Sequence, residues 1–136
     1  MIPIRIRKNV LIGFGIFVIL AIYLGFADIS LPNDKLIHFG MFFVLSLLFY
    51  WIVDTRITWL VRNVTFIICT LIGGIGSEFL QHSISPFRVF DIYDIISNIA
   101  GSLLAIVLSD IYVFIYKERK RERENESNNV LLENIV

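Results

Sequence analysis

The sequence predicts an all-α membrane protein, a four-helix transmembrane bundle with short loops and both termini in the cytosol. Hydrophobic residues make up 57% of the 136 residues and charged residues only 18%, which is more apolar surface than a soluble domain of this size buries. The charged residues are also clustered, so long apolar runs remain between them. No run alternates as a barrel strand does, and helices therefore have to satisfy the backbone groups in lipid.

A helix that spans a bilayer needs about 20 mostly apolar residues, and four segments meet this requirement. We predict helices over approximately residues 10–26, 36–53, 64–82 and 92–116. Because the connections are short, consecutive helices are expected to be antiparallel neighbours. The first segment also has the basic residues that precede a signal peptide. Its apolar stretch is longer than usual, so we expect it to be retained as a helix and not cleaved after Ala27.

The chain divides into a membrane domain and a tail. Residues 1–116 are predicted to form the four-span domain, and residues 117–136 a charged cytosolic tail. The mixed-charge start of the tail is expected to continue the fourth helix, and its last part, residues 125–136, to be loosely ordered. The tail is interpreted as an anchor at the membrane surface in preference to a contact with anionic lipid.

The basic residues predict the orientation of the helices, since Lys and Arg are enriched in cytosolic loops. Ten of the twelve lie before the first helix, between the second and third helices, or after the fourth. Only Lys35 and Arg88 lie on the other side. An even number of spans then places both termini in the cytosol.

The composition also excludes several classes of function. A formal net charge of zero makes nucleic acid an unexpected partner, and the single cysteine, Cys69, cannot form an intrachain disulfide. Nothing resembles a nucleophile elbow, a phosphate-binding loop or a zinc-protease helix. We predict no cofactor and no metal. The predicted location is a multi-pass integral membrane protein, in the plasma membrane of a bacterium or an endomembrane such as the endoplasmic reticulum of a eukaryote.

One set of polar residues opens the second and fourth helices and closes the third, and all members of this set lie at the non-cytosolic ends. Their spacings of three, four and seven residues place them on one face of each helix. A charged side chain in hydrocarbon costs a few kcal/mol or more, so these side chains are expected to face inward and pair. We call this set the polar layer and predict it as the binding site: Asp34, Lys35, His38, Glu78, Gln81, Arg88, Asp91, Asp94 and Asn98.

Two kinds of contact are expected in this region. Arg88 is the natural bidentate partner for a carboxylate, namely Glu78, Asp91 or Asp94. We also expect Asn98 near these groups, with His38 or Lys35 adjoining. Small residues with small-xxx-small spacing further predict that the third and fourth helices pack closely: Gly73 with Ser77, and Ser97 with Gly101.

Four interpretations of the polar layer remain open. It could be a clamp that fixes helix register, a site for a polar or anionic head group, or a hydrolytic or transfer site with a histidine base. A metal site built from His38, Glu78, His82 and an aspartate has the weakest signal. The preferred function is binding of a head group of a lipid or lipid-linked precursor. The competing functions are an intramembrane hydrolase or transferase and a structural subunit of a membrane complex.

The polar elements resemble those of the VanZ-like proteins. Residues 34–39 resemble the D-K-x-x-H-F element of that family. Residues 78–81, 88–91 and 94–101 resemble its E-x-x-Q, R-x-x-D and D-x-x-x-N-x-x-G elements. The resemblance covers roughly residues 10–116 and implies a small multi-span membrane protein. It carries no established catalytic residue to this chain.

Overall fold

The apolar segments form four long helices, which confirms the all-α fold class. The computed structural model describes residues 3–26 and 32–136. The predicted connection from residue 27, including the alternative cleavage after Ala27, falls largely outside the described residues. Each of the four helices is long and apolar enough to cross a membrane: α1 (Lys8–Phe26), α2 (Asp34–Ile52), α3 (Thr58–Ile84) and α4 (Ile92–Ile135).

The fourth helix differs most from its prediction. It continues without a break to Ile135, so the expectation that residues 125–136 are loosely ordered is wrong. The tail has no glycine or proline and is rich in Glu, Lys and Arg, which favour helix. Ion pairs one turn apart add to this, with Arg121 Nη2 2.6 Å from Glu118 Oε1.

A short strand pair closes one end of the bundle. β1 (Arg5–Ile6) pairs antiparallel with β2 (Val53–Asp54), and the Arg7 N–H donates to the carbonyl oxygen of Ile52 at 2.8 Å. The pairing holds the start of α1 beside the end of α2. We call this end, which carries Arg5, Arg7, Arg56 and Lys117, the basic end, and the opposite end, which carries Asp34, Glu78 and Asp91, the carboxylate end.

Helix α3 is not a regular α-helix along its length. It begins at Thr58, ahead of the predicted start at residue 64, and Phe66–Gly73 within it is a π-helical segment. A π segment changes the angle at which the following side chains leave the helix, and such segments are frequent at functional sites. The hydropathy pattern did not reveal it.

The most extensive contact in the bundle is between α2 and α4. It is close because Gly101 has no side chain: a Cβ built there would overlap the carbonyl oxygen of Phe39. The sequence assigned Gly101 to the packing of the third and fourth helices, and that assignment is wrong. The glycine that faces α4 from α3 is Gly74, where an added Cβ would lie 3.5 Å from the Cβ of Asn98.

Candidate functional site

His38 and Asn98 form the centre of the polar contacts at the carboxylate end. His38 Nδ1 lies 3.0 Å from Asn98 Oδ1 in the buried interface of α2 and α4. The Asn98 amide nitrogen donates to the carbonyl oxygen of Gly74 at 3.0 Å. Because that bond fixes the orientation of the amide, its oxygen faces the ring and Nδ1 is assigned the proton. One asparagine side chain thus connects α2, α3 and α4.

The other nitrogen of His38 faces two carboxylates. Nε2 lies 3.7 Å from Asp34 Oδ1 and 3.7 Å from Asp94 Oδ2, which is longer than a hydrogen bond. Lys35 neutralises part of this negative charge, with its Nζ 3.5 Å from Asp94 Oδ1. Both carboxylates therefore stand close to a basic group.

Asp91 combines an ion pair with a helix cap. Its Oδ2 accepts from Lys35 Nζ at 2.9 Å, and its Oδ1 accepts from the Tyr93 N–H at 2.9 Å at the start of α4. The hydrogen bond from Lys35, followed by the one from the Tyr93 backbone, holds the pKa of this carboxyl below its ordinary value of 3.8. Asp91 is therefore ionised at neutral pH.

Glu78 is the single acidic residue of α3 and is buried, with 4% of its surface exposed. Its Oε1 accepts from the Asp91 N–H at 3.1 Å. Its Oε2 is buried and has no hydrogen-bond partner among the described residues. The structure therefore places Glu78 against the backbone at the start of α4 and leaves one of its oxygens without a hydrogen-bond partner among the described residues.

Arg88 does not pair as predicted. Its guanidinium donates to Gln81 Oε1 at 3.2 Å, and within the described part of the chain it forms no ion pair with Glu78, Asp91 or Asp94. The cause is the geometry of α3, since residues three apart on a helix differ in direction by about 60°. Glu78 faces α4, whereas Gln81 faces α1, where an added Cβ on Gly25 would lie 2.7 Å from the Gln81 amide nitrogen.

The polar layer thus divides into two groups. The first lies around His38 and Asn98 and connects the helices. The second is the pair of Gln81 and Arg88, which is half-buried and has no role in the contact of α2 with α4. His82 contacts the backbone of this second group, since its Nδ1 lies 3.1 Å from the carbonyl oxygen of Arg88.

A cavity of about 580 Å³ lies between α1, α2 and α3, next to the second group. This volume is within the range of small-molecule sites. Its walls are mainly apolar and include the π-helical segment of α3. The side chains that form the apolar walls include Phe14, Val18, Met41, Phe42, Leu45 and Ile72.

The polar side chains of the cavity lie together at its carboxylate end. Four belong to the predicted polar layer, and Ser77 is a fifth. The other predicted residues stand behind this wall and do not line the cavity: Lys35, Glu78, Asp91, Asp94 and Asn98. The four predicted residues that line it are Asp34, His38, Gln81 and Arg88.

Some residues of the cavity had no separate signal in the sequence. Ser77 was predicted only to be a small residue at a helix contact. Gly76 also lines the cavity, and a Cβ added there meets no atom of the described residues within 4 Å. Cys69 also lines it, from the π-helical segment. Cys69 lies in the π-helical segment and Gly76 and Ser77 follow it, so their directions differ from those that regular α-helical spacing predicts.

The predicted metal site of His38, Glu78, His82 and an aspartate is not assembled, because these side chains do not converge on one point. His82 is bonded to the loop at Arg88. The acids that do approach His38 are Asp34 and Asp94, and the three ligand atoms lie within 4.8 Å of one another. Lys35 already supplies a positive charge to this group, so its geometry has an explanation without a metal.

Buried hydroxyl groups continue the polar contacts toward the basic end. Ser102 of α4 bonds Ser46 of α2 at 2.7 Å and Thr70 of α3 at 2.6 Å. Nearer the basic end, Tyr50 donates to Asp110 Oδ1 at 2.6 Å. These contacts hold three helices in register and were missed in the sequence, where isolated Ser and Thr carry little signal.

The chain is similar to proteins of two yeasts. It is 45% identical over 113 residues to uncharacterized protein C11E3.10 of Schizosaccharomyces pombe, a match that covers 79% of this chain and 66% of that protein. It is 39% identical over 94 residues to uncharacterized protein YJR112W-A of Saccharomyces cerevisiae, which covers 60% of this chain and 81% of that protein. The chain belongs to the family of this budding-yeast protein. It spans 66% of the length of the fission-yeast relative.

The resemblance to VanZ-like proteins is wrong. No family model matches the chain, and the relatives found are fungal. The elements that carried the resemblance are short, and their spacings of three and four are those that place polar side chains on one face of any helix. No solved structure matches the chain.

Proposed function

We propose that this chain is a multi-pass integral membrane protein that binds an amphiphile, with the hydrocarbon part in the cavity and the polar or anionic head group at the carboxylate end. The observation that carries this proposal is the cavity itself, whose body is apolar and whose polar side chains lie together at one end. A lipid or a lipid-linked precursor likewise has an apolar chain with a polar head group at one end. Both termini are then cytosolic, and the head group lies near the non-cytosolic face.

The outer surface of the bundle supports placement in a membrane. Three isoleucines of α1, Ile12, Ile16 and Ile19, are 61%, 64% and 70% exposed. An apolar face of this kind is unfavourable in water and favourable in hydrocarbon. The basic end gathers the Lys and Arg residues that favour the cytosolic side, and the yeast relatives favour a eukaryotic membrane, such as an endomembrane.

Arg88 and Gln81 are the residues proposed to contact the head group. The Arg88 guanidinium has several donors, and the bond to Gln81 uses one of them. Its remaining donors suit a phosphate or carboxylate oxygen. Gln81 and Ser77 add neutral hydrogen-bonding groups on the same wall.

We favour binding over catalysis because Gln81 and Arg88 offer hydrogen-bonding groups to a ligand and neither is a general base at neutral pH. A histidine base needs a ring nitrogen that reaches the substrate, and Nδ1 is engaged with Asn98. Nε2 faces Asp34 and Asp94. We interpret His38 and Asn98 as the clamp that holds α2 and α4 together. Gln81 and Arg88 take no part in the contact between α2 and α4, so their hydrogen-bonding groups can bind a ligand.

The full chain, purified from yeast membranes in a mild detergent, tests this proposal. Lipids that co-purify are identified by mass spectrometry for the wild type, for Arg88→Gln, and for Arg123→Gln as a matched control in the tail. We expect a lipid class enriched with the wild type and with Arg123→Gln, and depleted with Arg88→Gln. The same lipids in the same amounts from all three proteins would contradict a head-group role for Arg88.

A further inference from the structure

A second cavity, of about 680 Å³, lies at the basic end. Three separate parts of the chain form it: the N-terminal strand, the stretch from the end of α2 to the start of α3, and residues 112–120 of α4. The strand pair β1–β2 brings the first two together. Since this cavity lies at the opposite end of the bundle from Arg88, it is independent of the proposed amphiphile site.

The cavity concentrates positive charge. Among the described residues, five cationic side chains line it and one carboxylate does, that of Asp54. Asp54 is already paired, with its Oδ1 3.2 Å from Arg7 Nη2. The five cations are Arg5, Arg7, Arg56, Lys117 and Lys120.

Three of these five cations, Arg5, Arg56 and Lys117, have no ion-pair partner among the described residues, whereas Arg7 pairs with Asp54 and Lys120 with Glu124. Arg62 Nη1 lies 3.5 Å from Asp110 Oδ2, and Arg121 Nη2 lies 2.6 Å from Glu118 Oε1. In contrast, Arg5 and Arg56 form no ion pair among the described residues. The cytosolic preference of Lys and Arg explains why they are on this side of the membrane, but not why unpaired ones converge on one cavity.

Lys117 and Lys120 complete this group from α4. Lys117 contacts only a hydroxyl, that of Thr58 at 3.5 Å, and has no ion pair in the described part of the chain. Lys120 reaches Glu124 at 4.0 Å, the limit of an ion pair. Their ammonium groups are therefore available to an anion in the cavity.

Aromatic side chains give the cavity firm walls at the level where a membrane surface would lie. Trp51 and Tyr112 pack edge to face, with ring centroids 5.4 Å apart. The Arg7 guanidinium lies over the Trp51 ring at 5.3 Å and donates to the Trp51 carbonyl oxygen at 3.3 Å. Tryptophan and tyrosine favour the interface between hydrocarbon and water.

We propose that the cavity at the basic end binds a polyol that carries two or more phosphate groups. One phosphate is satisfied by one or two cations, whereas unpaired cations from three segments suit several phosphates on one rigid ring. Basic pockets on the cytosolic side of membrane helices bind phosphoinositide head groups by this means. The same chemistry occurs in soluble inositol phosphates.

The test measures binding to the full chain in detergent by isothermal titration calorimetry. The two probes are a short-chain phosphatidylinositol 4,5-bisphosphate and inositol 1,4,5-trisphosphate. The cavity variant Lys117→Gln/Lys120→Gln is compared with Arg119→Gln/Arg123→Gln, which removes the same charge from the same helix but outside the cavity. We expect the cavity variant to bind about tenfold more weakly than the control variant. Thermal denaturation of both variants checks that they remain folded.

The two probes also identify the source of the ligand. If the lipid binds more tightly than inositol trisphosphate and vesicles that contain it recruit the protein, the ligand is a membrane lipid. If the affinities are equal, the phosphates alone are bound and a soluble compound suffices; either result supports the proposal. No binding by the wild type, or equal weakening in the two double variants, would overturn it. An unaltered affinity in Arg88→Gln would separate this site from the amphiphile cavity.

Discussion

The Asn98 amide and the His38 ring, 3.0 Å apart, form a buried hydrogen bond between α2 and α4. The same amide donates to the carbonyl oxygen of Gly74 in α3. In a buried interface no water replaces such partners. This pair therefore fixes the relative register of three helices just behind the proposed binding cavity.

We predict that Asn98→Leu destabilises the bundle. The change removes the bond to the Gly74 carbonyl and leaves His38 Nδ1 without its acceptor, and an unsatisfied buried group costs about 1–3 kcal/mol. Thermal denaturation in detergent measures the effect. Ser97→Ala is the control, because the Ser97 hydroxyl bonds only the carbonyl of Tyr93 in its own helix. Equal melting temperatures for the two variants would show that the amide does not hold the helices.

A second prediction concerns the close approach of α2 and α4. Gly101→Ala should lower stability by about 1–3 kcal/mol, as overpacking does, because the new methyl group overlaps the Phe39 carbonyl oxygen. Gly40→Ala, where an added Cβ meets nothing within 4 Å, should be neutral or stabilising because alanine favours helix. The same thermal measurement compares them. A Gly101→Ala protein as stable as Gly40→Ala would contradict the packing described.

The helices and the depth of the polar layer were predictable because hydropathy and charge depend only on the order of residues. The partner of each residue was not. Spacing placed Gly101 and Asn98 on the same face of α4, but it could not say whether that face meets α2 or α3. Arg88 was assigned to a carboxylate on charge alone, whereas the direction of Gln81 on α3 decided its contact.

The unpaired oxygen of Glu78 leads to a third prediction. Glu78→Gln keeps an acceptor for the Asp91 N–H and removes a charge that is costly to bury. We expect a melting temperature equal to or above that of the wild type. Glu78→Ala, which also removes the acceptor, should be less stable. A loss of about 3–5 kcal/mol in Glu78→Gln would instead indicate that Glu78 belongs to a buried ion pair.

The ion pair of Asp91 predicts a dependence on pH. Its pKa is lowered in the folded protein, so its contribution to stability is present above the ordinary value of 3.8 and is lost as the pH falls through the lowered value. Asp91→Asn keeps the cap on the Tyr93 N–H and removes the charge. We therefore expect its melting temperature to fall less than that of the wild type between pH 5 and acidic pH, by roughly the share that one ion pair contributes. Parallel curves for the two proteins would contradict this contribution.

The two cavities could not be predicted from the sequence. The polar end of the first cavity follows the π-helical segment Phe66–Gly73, whose wider turns change the direction of the side chains after it. No residue pattern in that segment predicts this change. The second cavity needs the strand pair that carries Arg5 beside Asp54. Two residues per strand are too few for a recognisable strand pattern, so the convergence of the basic side chains became visible only in the fold.

The most direct test of amphiphile binding is to fill the cavity at a position that tolerates a side chain. Gly76 lines the cavity, and a Cβ added there meets no atom of the described residues within 4 Å. The same is true of Gly40, which is not among the described residues that line the cavity. Native mass spectrometry of Gly76→Leu, Gly40→Leu and the wild type, released from mild detergent, counts the lipids retained by each protein. We expect one tightly held lipid on the wild type and on Gly40→Leu, and its loss from Gly76→Leu. Retention of that lipid by a folded Gly76→Leu protein would contradict amphiphile binding in this cavity.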